Sequence, residues 1–447
     1  MDRRKFLTAL GMGALSVGLS SCFAWADDDE DEEDEHGGRA SVLGQGGQMP
    51  GDLGIKGNIV VVGGGMAGTT VAKYLRLWGG TGVDVTLIEP NATYYSNIFS
   101  NMVLVGERNL DQLAFNYKTL ADKYGVKIVN QSVIGMDTKA QQVQLSDNSK
   151  LPYDRLILAT GIDFDNLPLS GSATSQAKIV HAWQAGEQTV SLQKQIVAMT
   201  NKDTFIITIP PKPYRCPPGP YERACVVADY LKRVKGGGKV VILDANAEIQ
   251  GGVKNFTNAF TGLYKDTITY VPNSVLESID ADKGVVKAST GSFSGQVINA
   301  IPAQKAGRLI TTHEGLANLD QRWAGVNVLT YESVVVPKVH IIGDSAAAAP
   351  QPKAGHVANA EAKVCASAIV NLLSGKAVNQ MPMTNSACFS PITQEDVAWM
   401  SVVFRYDKTK DSMLPVSKGT IESNSANPKN YKAMLRWFDN LMSDTFA

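Results

Sequence analysis

Residues 58–68 read NIVVVGGGMAG, residues 69–80 read TTVAKYLRLWGG, and residues 84–90 read DVTLIEP. A β-branched run, a glycine turn, a helix-length segment and a second apolar run ending in an acid follow in the order of a Rossmann βαβ unit. The glycines of the G-x-G-x-x-G pattern fall at Gly63, Gly65 and Gly68. The first permits the tight turn, the second lets backbone approach a pyrophosphate, and the third lets helix pack against strand. Met66 and Ala67 open the helix, where free N–H groups would hold the diphosphate. Glu89, at the end of the second strand, is placed to accept hydrogen bonds from an adenosine ribose. The whole stretch predicts a dinucleotide site.

Working outward, LPYDRLILATGID predicts a strand over Arg155–Ala159 followed by Thr160 and Gly161, small residues that let the chain pass close to a cofactor. Leu110–Tyr124 reads as one helical segment. A second strand–turn–helix–strand unit begins at Thr204 and ends its second strand on Asp244. Its turn reads PPKPYRCPPGPYE, and Pro217, Pro218 and Pro220 lack the amides that a phosphate cradle needs. This unit is therefore expected to have lost its nucleotide. Downstream, HIIGD ends a strand on Asp344, placed to bond the ribityl chain of FAD. A long helix from about Gly355 should present its N-terminus and Lys353 to the flavin's pyrimidine edge, favouring an anionic reduced ring.

The reading is an α/β fold with two Rossmann-like dinucleotide-binding domains, an FAD domain and a vestigial NAD-like domain, followed by a C-terminal α+β interface domain. The boundaries fall at 58–172 and 300–374 for the two parts of the FAD domain, 173–299 for the second domain and 375–447 for the tail. Ahead of them, residues 1–26 read as a twin-arginine (Tat) signal peptide: Arg3 and Arg4 precede an uncharged segment too short to stay as a membrane span. Ala24-Trp25-Ala26 fits cleavage, and the alternative is lipidation of Cys22. The protein is thus expected in the periplasm. Residues 27–57, acidic and then glycine-rich, read as a disordered linker.

The 447-residue chain has a net charge of −1, which gives no reason to expect nucleic acid as a partner. Its five cysteines form no C-x-x-C, so neither a zinc ribbon nor a c-type haem attachment is encoded, and no metal site is expected. Cys225 and Cys365 lie on apolar helical patterns and read as inert core. Cys216 sits in the proline-rich turn beside Arg215, whose charge would favour a thiolate, and Cys388 follows a polar turn. In an exported protein these two fit a structural bridge as well as a catalytic pair. Glu222 is placed either to accept a proton or to pair with Arg223. His181, His313 and His340 lack ligand spacing and read as packing or surface residues, while His356 stands at the predicted start of the long helix. Trp399, Trp437 and Phe438 read as filler.

From about Asn58 to the C-terminus the chain resembles the flavoprotein subunit of flavocytochrome c sulfide dehydrogenase, a family related to sulfide:quinone oxidoreductase and to glutathione reductase. The resemblance rests on PYRCPPGPYERA at 213–224, the TYY…SN segment at 93–101, NSACFSP at 385–391 and the aromatic closing helix. It implies FAD, a redox-active disulfide formed by Cys216 and Cys388, a near-flavin glutamate at Glu222, and a partner c-type cytochrome with one or two haems. Sulfide would be oxidised to sulfur or polysulfide and electrons passed to the cytochrome. Asn97 occupies the place where family members carry a cysteine bonded to the flavin, so noncovalent FAD is expected. Two other readings remain: a sulfide:quinone oxidoreductase, for which the tail gives only a weak amphipathic, membrane-docking pattern, and a non-catalytic flavin relay subunit. No stable membrane span is expected.

Overall fold

The computed structural model describes residues 49–416 and 419–447. The twin-arginine segment, the acidic run and Cys22 lie outside the described residues. Residues 49–56, read from composition as the end of a linker, are tied to the first domain. Asp52 pairs with Gly80, Thr81 N donates to Gly51 O at 3.2 Å, and Met49 and Ile55 pack on the core.

The parallel strands of the main sheet run in the order Lys127–Val129, Val83–Ile88, Gly57–Val62, Arg155–Leu158, Val339–Ile341. The last of these comes from far along the chain, so two separate stretches build one sheet. Ile59, Val60 and Val61 are essentially unexposed, as a parallel strand covered on both faces requires. The helices Met66–Gly79 and Gly355–Leu373 lie against each other over this sheet. A second parallel sheet runs Ile268–Val271, Lys239–Asp244, Thr204–Ile209, Val297–Ala300, with the helix Gly219–Tyr230 on it. The tail is an antiparallel sheet of Met383–Pro391, Val397–Asp407 and Ser412–Pro415, followed by the helix Pro428–Phe446.

One expected element is wrong. Leu110–Tyr124 is not a continuous helix: a 3₁₀ turn Leu110–Leu113 gives way to the strand Ala114–Asn116, and only Lys118–Tyr124 is α-helical. Asn109 and Gln112 close a reciprocal capping box on the short turn, and Ala114–Asn116 pairs with Thr93–Tyr95. A strand partner so far back in the chain leaves no trace in local periodicity.

In the second sheet the acid at the strand end is engaged by the protein itself. Asp244 ends its strand as expected, yet Oδ2 accepts from Tyr221 at 2.6 Å and Tyr270 at 3.0 Å, and Oδ1 accepts from Asn246 N at 2.9 Å and Nδ2 at 2.8 Å. The carboxylate that would read a ribose is saturated by the protein's own donors.

The closing helix folds its apolar side onto the first domain. Phe438 stacks on Phe99 (centroids 4.3 Å), and Phe446 stacks on Phe115 and on Tyr94, both at 5.1 Å. Asp444 accepts from Tyr74 at 2.5 Å and Asn359 at 2.8 Å and pairs with Lys363 at 2.7 Å. Among the described residues no helix is long and apolar enough to cross a membrane.

Candidate active site

The glycine turn is built by close approach. A Cβ on Gly68 would lie 1.8 Å from Gly63 O, and one on Gly63, whose φ is +104°, would lie 2.4 Å from Ala159 O. Gly65 differs, since its Cβ would meet nothing nearer than Tyr94 at 3.9 Å; it opens onto a cleft. Gly68→Ala is therefore expected to prevent assembly of the turn, and purified protein should carry less than about a tenth of the wild-type flavin by absorbance. Glu89 lies beside the turn rather than in the cleft wall. Its Oε2 accepts from Gly64 N at 2.8 Å and its Oε1 accepts from Asn91 N at 3.0 Å.

The cleft encloses about 190 Å³. Gly65, Met66 and Ala67 line it at one end, and Cys216, Glu222 and Cys388 line it as well. Asn97, Gly161 and Asp344 are also in its wall, whereas Thr160 is turned toward Ser345, with Oγ1 3.2 Å from that hydroxyl. Asn97 Oδ1 accepts from Ala185 N at 2.8 Å. Asp344 Oδ1 is buried with no hydrogen-bond partner, and burial raises its carboxyl above the usual range. An oxygen so placed calls for a donor from a bound group.

Lys353 lies beside Asp344 in a small adjoining pocket. Its ammonium donates to Asp344 O and Ala346 O, both at 2.8 Å, and lies over the Trp323 ring at 3.7 Å, outside the wall of the large cleft. Burial lowers it to about 8. The helix start at Ala354–His356 faces the cleft instead.

Cys216 holds a left-handed φ of +58°. Its N–H donates to Lys353 O at 2.7 Å, and its C=O accepts from Gly219 N at 2.9 Å. A Cβ on Gly219 would lie 2.8 Å from Cys216 Sγ and 2.9 Å from Trp183. Gly219→Ala should cost about 1–3 kcal/mol of stability by overpacking, read as a lowered Tm. Cys388 stands in the strand Met383–Pro391, paired with Met400. Both are free cysteines in this structure. Burial pushes the Cys388 thiol up to about 11 and the Cys216 thiol well above its ordinary value. The Arg215 guanidinium favours the Cys216 thiolate, as its adjacency implies, while burial acts more strongly in the other direction. Cys225 and Cys365 are 0% exposed core residues, as read from their pattern.

Glu222 does not form an ion pair with Arg223. It accepts from Asn101 Nδ2 at 2.8 Å and from the Ser390 hydroxyl, and burial raises it to about 7. Arg223 is itself buried, donating at 2.8 Å to each of Asn101 Oδ1, Asn299 Oδ1, His181 O and Ala182 O, with its guanidinium over Trp183. Asn101 and Ser390 lie in the 93–101 and 385–391 segments that carry the resemblance, but only the fold brings them to Glu222. Trp437, read as filler, lines the cleft beside Phe389 and His356. His340 is a packing residue, held between Arg155 at 3.1 Å and Thr330 O at 2.9 Å.

Comparison with known proteins follows this geometry. Residues 57–207 match the pyridine nucleotide-disulphide oxidoreductase family. Residues 189–302 match the central part of the sulfide dehydrogenase (flavocytochrome c) flavoprotein chain, and 380–446 match the flavin-binding part of flavocytochrome c sulphide dehydrogenase. The sulfide:quinone oxidoreductase of the hyperthermophilic bacterium Aquifex aeolicus has the same fold, with a TM-score of 0.69 at 18% identity over 87% of this chain and 91% of that one. The mitochondrial sulfide:quinone oxidoreductase of Dictyostelium discoideum is 22% identical over 80% of this chain and 79% of its own. The assimilatory nitrate reductase electron transfer subunit of Bacillus subtilis is 33% identical over 26% of this chain. The chain spans only 15–34% of the lengths of the first four curated relatives it matches.

In fold, glycine turn and matched domains the chain is similar to flavoprotein oxidoreductases of the pyridine nucleotide-disulphide type, and its cofactor is FAD. The cleft fits that cofactor: an open Gly65 at an uncapped helix start for the diphosphate, and the orphaned Asp344 Oδ1 for a hydroxyl. Within that class, the chain resembles the flavoprotein subunit of flavocytochrome c sulfide dehydrogenase, carrying both of its domains.

Proposed function

We propose that this chain oxidises sulfide through Cys216 and Cys388 and delivers the electrons to a c-type cytochrome in the periplasm. The observation that carries the reading is the convergence of two cysteines, distant in sequence, on the same cleft as the diphosphate turn and a buried glutamate. The cytochrome is supported by the two flavocytochrome c domain matches. The periplasm is supported by the twin arginines at Arg3 and Arg4.

Oxidised, the two cysteines form a disulfide. Hydrosulfide attacks one of its sulfurs, the S–S bond breaks, and one cysteine becomes a persulfide while the other leaves as thiolate. Glu222, held near neutrality by burial, takes the proton released when hydrogen sulfide enters as hydrosulfide. A second hydrosulfide lifts the sulfur off as disulfide anion, leaving a dithiol that holds the two electrons. FAD, when bound, would supply the two-electron acceptor for this dithiol and an outlet for single electrons. Gly65–Ala67 and Asp344 would hold the cofactor, and Trp183, Phe389 and Trp437 line the same cleft as the sulfurs.

Anaerobic titration with sulfide tests the reading: flavin bleaching followed by rapid reduction of a cytochrome c is expected. Reduction of a soluble quinone alone would overturn the cytochrome and favour the sulfide:quinone reading, which the Dictyostelium relative supports. Against that reading, the apolar side of the closing helix is already covered by Phe99 and Phe115. Noncovalent attachment is expected because Asn97, in the cleft wall, stands where the resembling family carries its flavin-bound cysteine. Acid precipitation should therefore release the flavin to the supernatant, and flavin retained in the pellet would refute this.

A further inference from the structure

Two hydrogen bonds tie both cysteines to one four-residue segment, Lys353–His356. On one side the Cys216 N–H donates to Lys353 O at 2.7 Å. On the other, the N–H of Ala387, which precedes Cys388, donates to His356 Nδ1 at 3.1 Å. The segment is itself rigid. Lys353 is fastened by two carbonyls and the Trp323 ring, and Gly355 begins a helix that runs to Leu373.

His356 is oriented for this contact. Trp437 Nε1 also donates to Nδ1, at 3.4 Å, so that nitrogen accepts from two N–H groups. The Trp437 ring packs on the imidazole from the closing helix. Burial holds His356 neutral down to about pH 4, so the acceptor persists at any ordinary pH.

We propose that His356 is the positioning residue of the cysteine pair: it holds the Cys388 strand against the segment that holds Cys216, and so sets the sulfur–sulfur separation. A disulfide tolerates little error, with Cβ atoms about 3.5–4.5 Å apart and a dihedral near 90°. Loss of one jaw of the clamp therefore acts on the pair before it acts on the fold. The inference rests on the reading of Cys216 and Cys388 as a redox pair.

The test uses the full-length flavoprotein equilibrated with mixtures of glutathione and its disulfide. Oxidation is balanced: two cysteine thiols and one glutathione disulfide give one protein disulfide and two glutathione thiols. Differential alkylation and peptide mapping of the segments holding Cys216 and Cys388 read the oxidised fraction. His356→Phe keeps the ring volume and loses the acceptor; its disulfide equilibrium constant is expected to fall about fivefold or more, as loss of one net hydrogen bond implies. His356→Asn, whose Oδ1 stands in for Nδ1, should recover most of the loss. Should the Phe variant not fold, as judged by flavin content and circular dichroism, His356→Leu with the Asn rescue carries the same comparison. Equal oxidation in wild type, Phe and Asn variants would overturn the inference while leaving the redox pair intact. No disulfide in the wild type at any ratio would instead overturn the redox-pair reading itself.

Discussion

Cys216→Ser and Cys388→Ser are each expected to lose sulfide-driven flavin bleaching by about a thousandfold or more, because without either sulfur there is no disulfide for hydrosulfide to open. FAD content should stay at the wild-type level. The diphosphate turn at Gly63–Gly68 lies in a different part of the chain, and the bonds that hold Cys216 come from its backbone N–H and C=O, which serine keeps. Cys225→Ser gives the opposite pattern. That side chain is 0% exposed in an apolar core, so an unpartnered hydroxyl should cost about 1–3 kcal/mol of stability and leave bleaching unchanged. Stopped-flow absorbance with a thermal melt on each variant separates the two. Wild-type bleaching in either Cys216→Ser or Cys388→Ser would remove the pair from the electron path and leave the relay reading.

Glu222→Gln is expected to slow bleaching by about a hundredfold, the low end of what a positioned proton acceptor contributes. In the wild type the rate should rise with pH through about 7, where the buried carboxyl ionises, and this limb should vanish in the glutamine variant. The sign for stability is the reverse. Because burial raises this carboxyl in the folded state, the native form binds the extra proton between the ordinary carboxylate range and about 7, and the group's contribution to stability falls as pH rises through that window. Glutamine carries no such titration, so above pH 7 the variant should be at least as stable as the wild type. Slow turnover without lost stability would mark Glu222 as part of the chemistry. A pH profile unchanged by the substitution would show that Asn101 and Ser390 hold it for structure alone.

The first domain was legible almost residue by residue. Its glycines, its buried strands and its acid are legible as a motif; Gly63 and Gly68 have a steric reason to be glycine, and Gly65 opens onto the cleft. The start of the long helix at Gly355 and the strands of the second unit were legible for the same reason. The stretch 110–124 was misread because its middle pairs with Thr93–Tyr95, a contact between strands that no helical periodicity reports. Lys353 is read as a cation for the flavin because it precedes a helix N-terminus, and only the fold shows that carbonyls of Asp344 and Ala346 fix its ammonium.

By itself the sequence determined the dinucleotide turn, the loss of phosphate-binding amides in the second unit and the pair of cysteines worth pursuing. The first two follow from backbone permissions carried by glycine and proline within a few residues, and the cysteine pair from the resemblance. Only the tertiary structure decided that Cys216 and Cys388 share one cleft, that Tyr221 and Tyr270 fill the acid of the second unit, and that Glu222 is held by Asn101 and Ser390 rather than by Arg223. Each of those is a contact between residues from separate elements. Its energy comes from burial and from hydrogen bonds that exist only once the sheets, the long helix and the tail have packed.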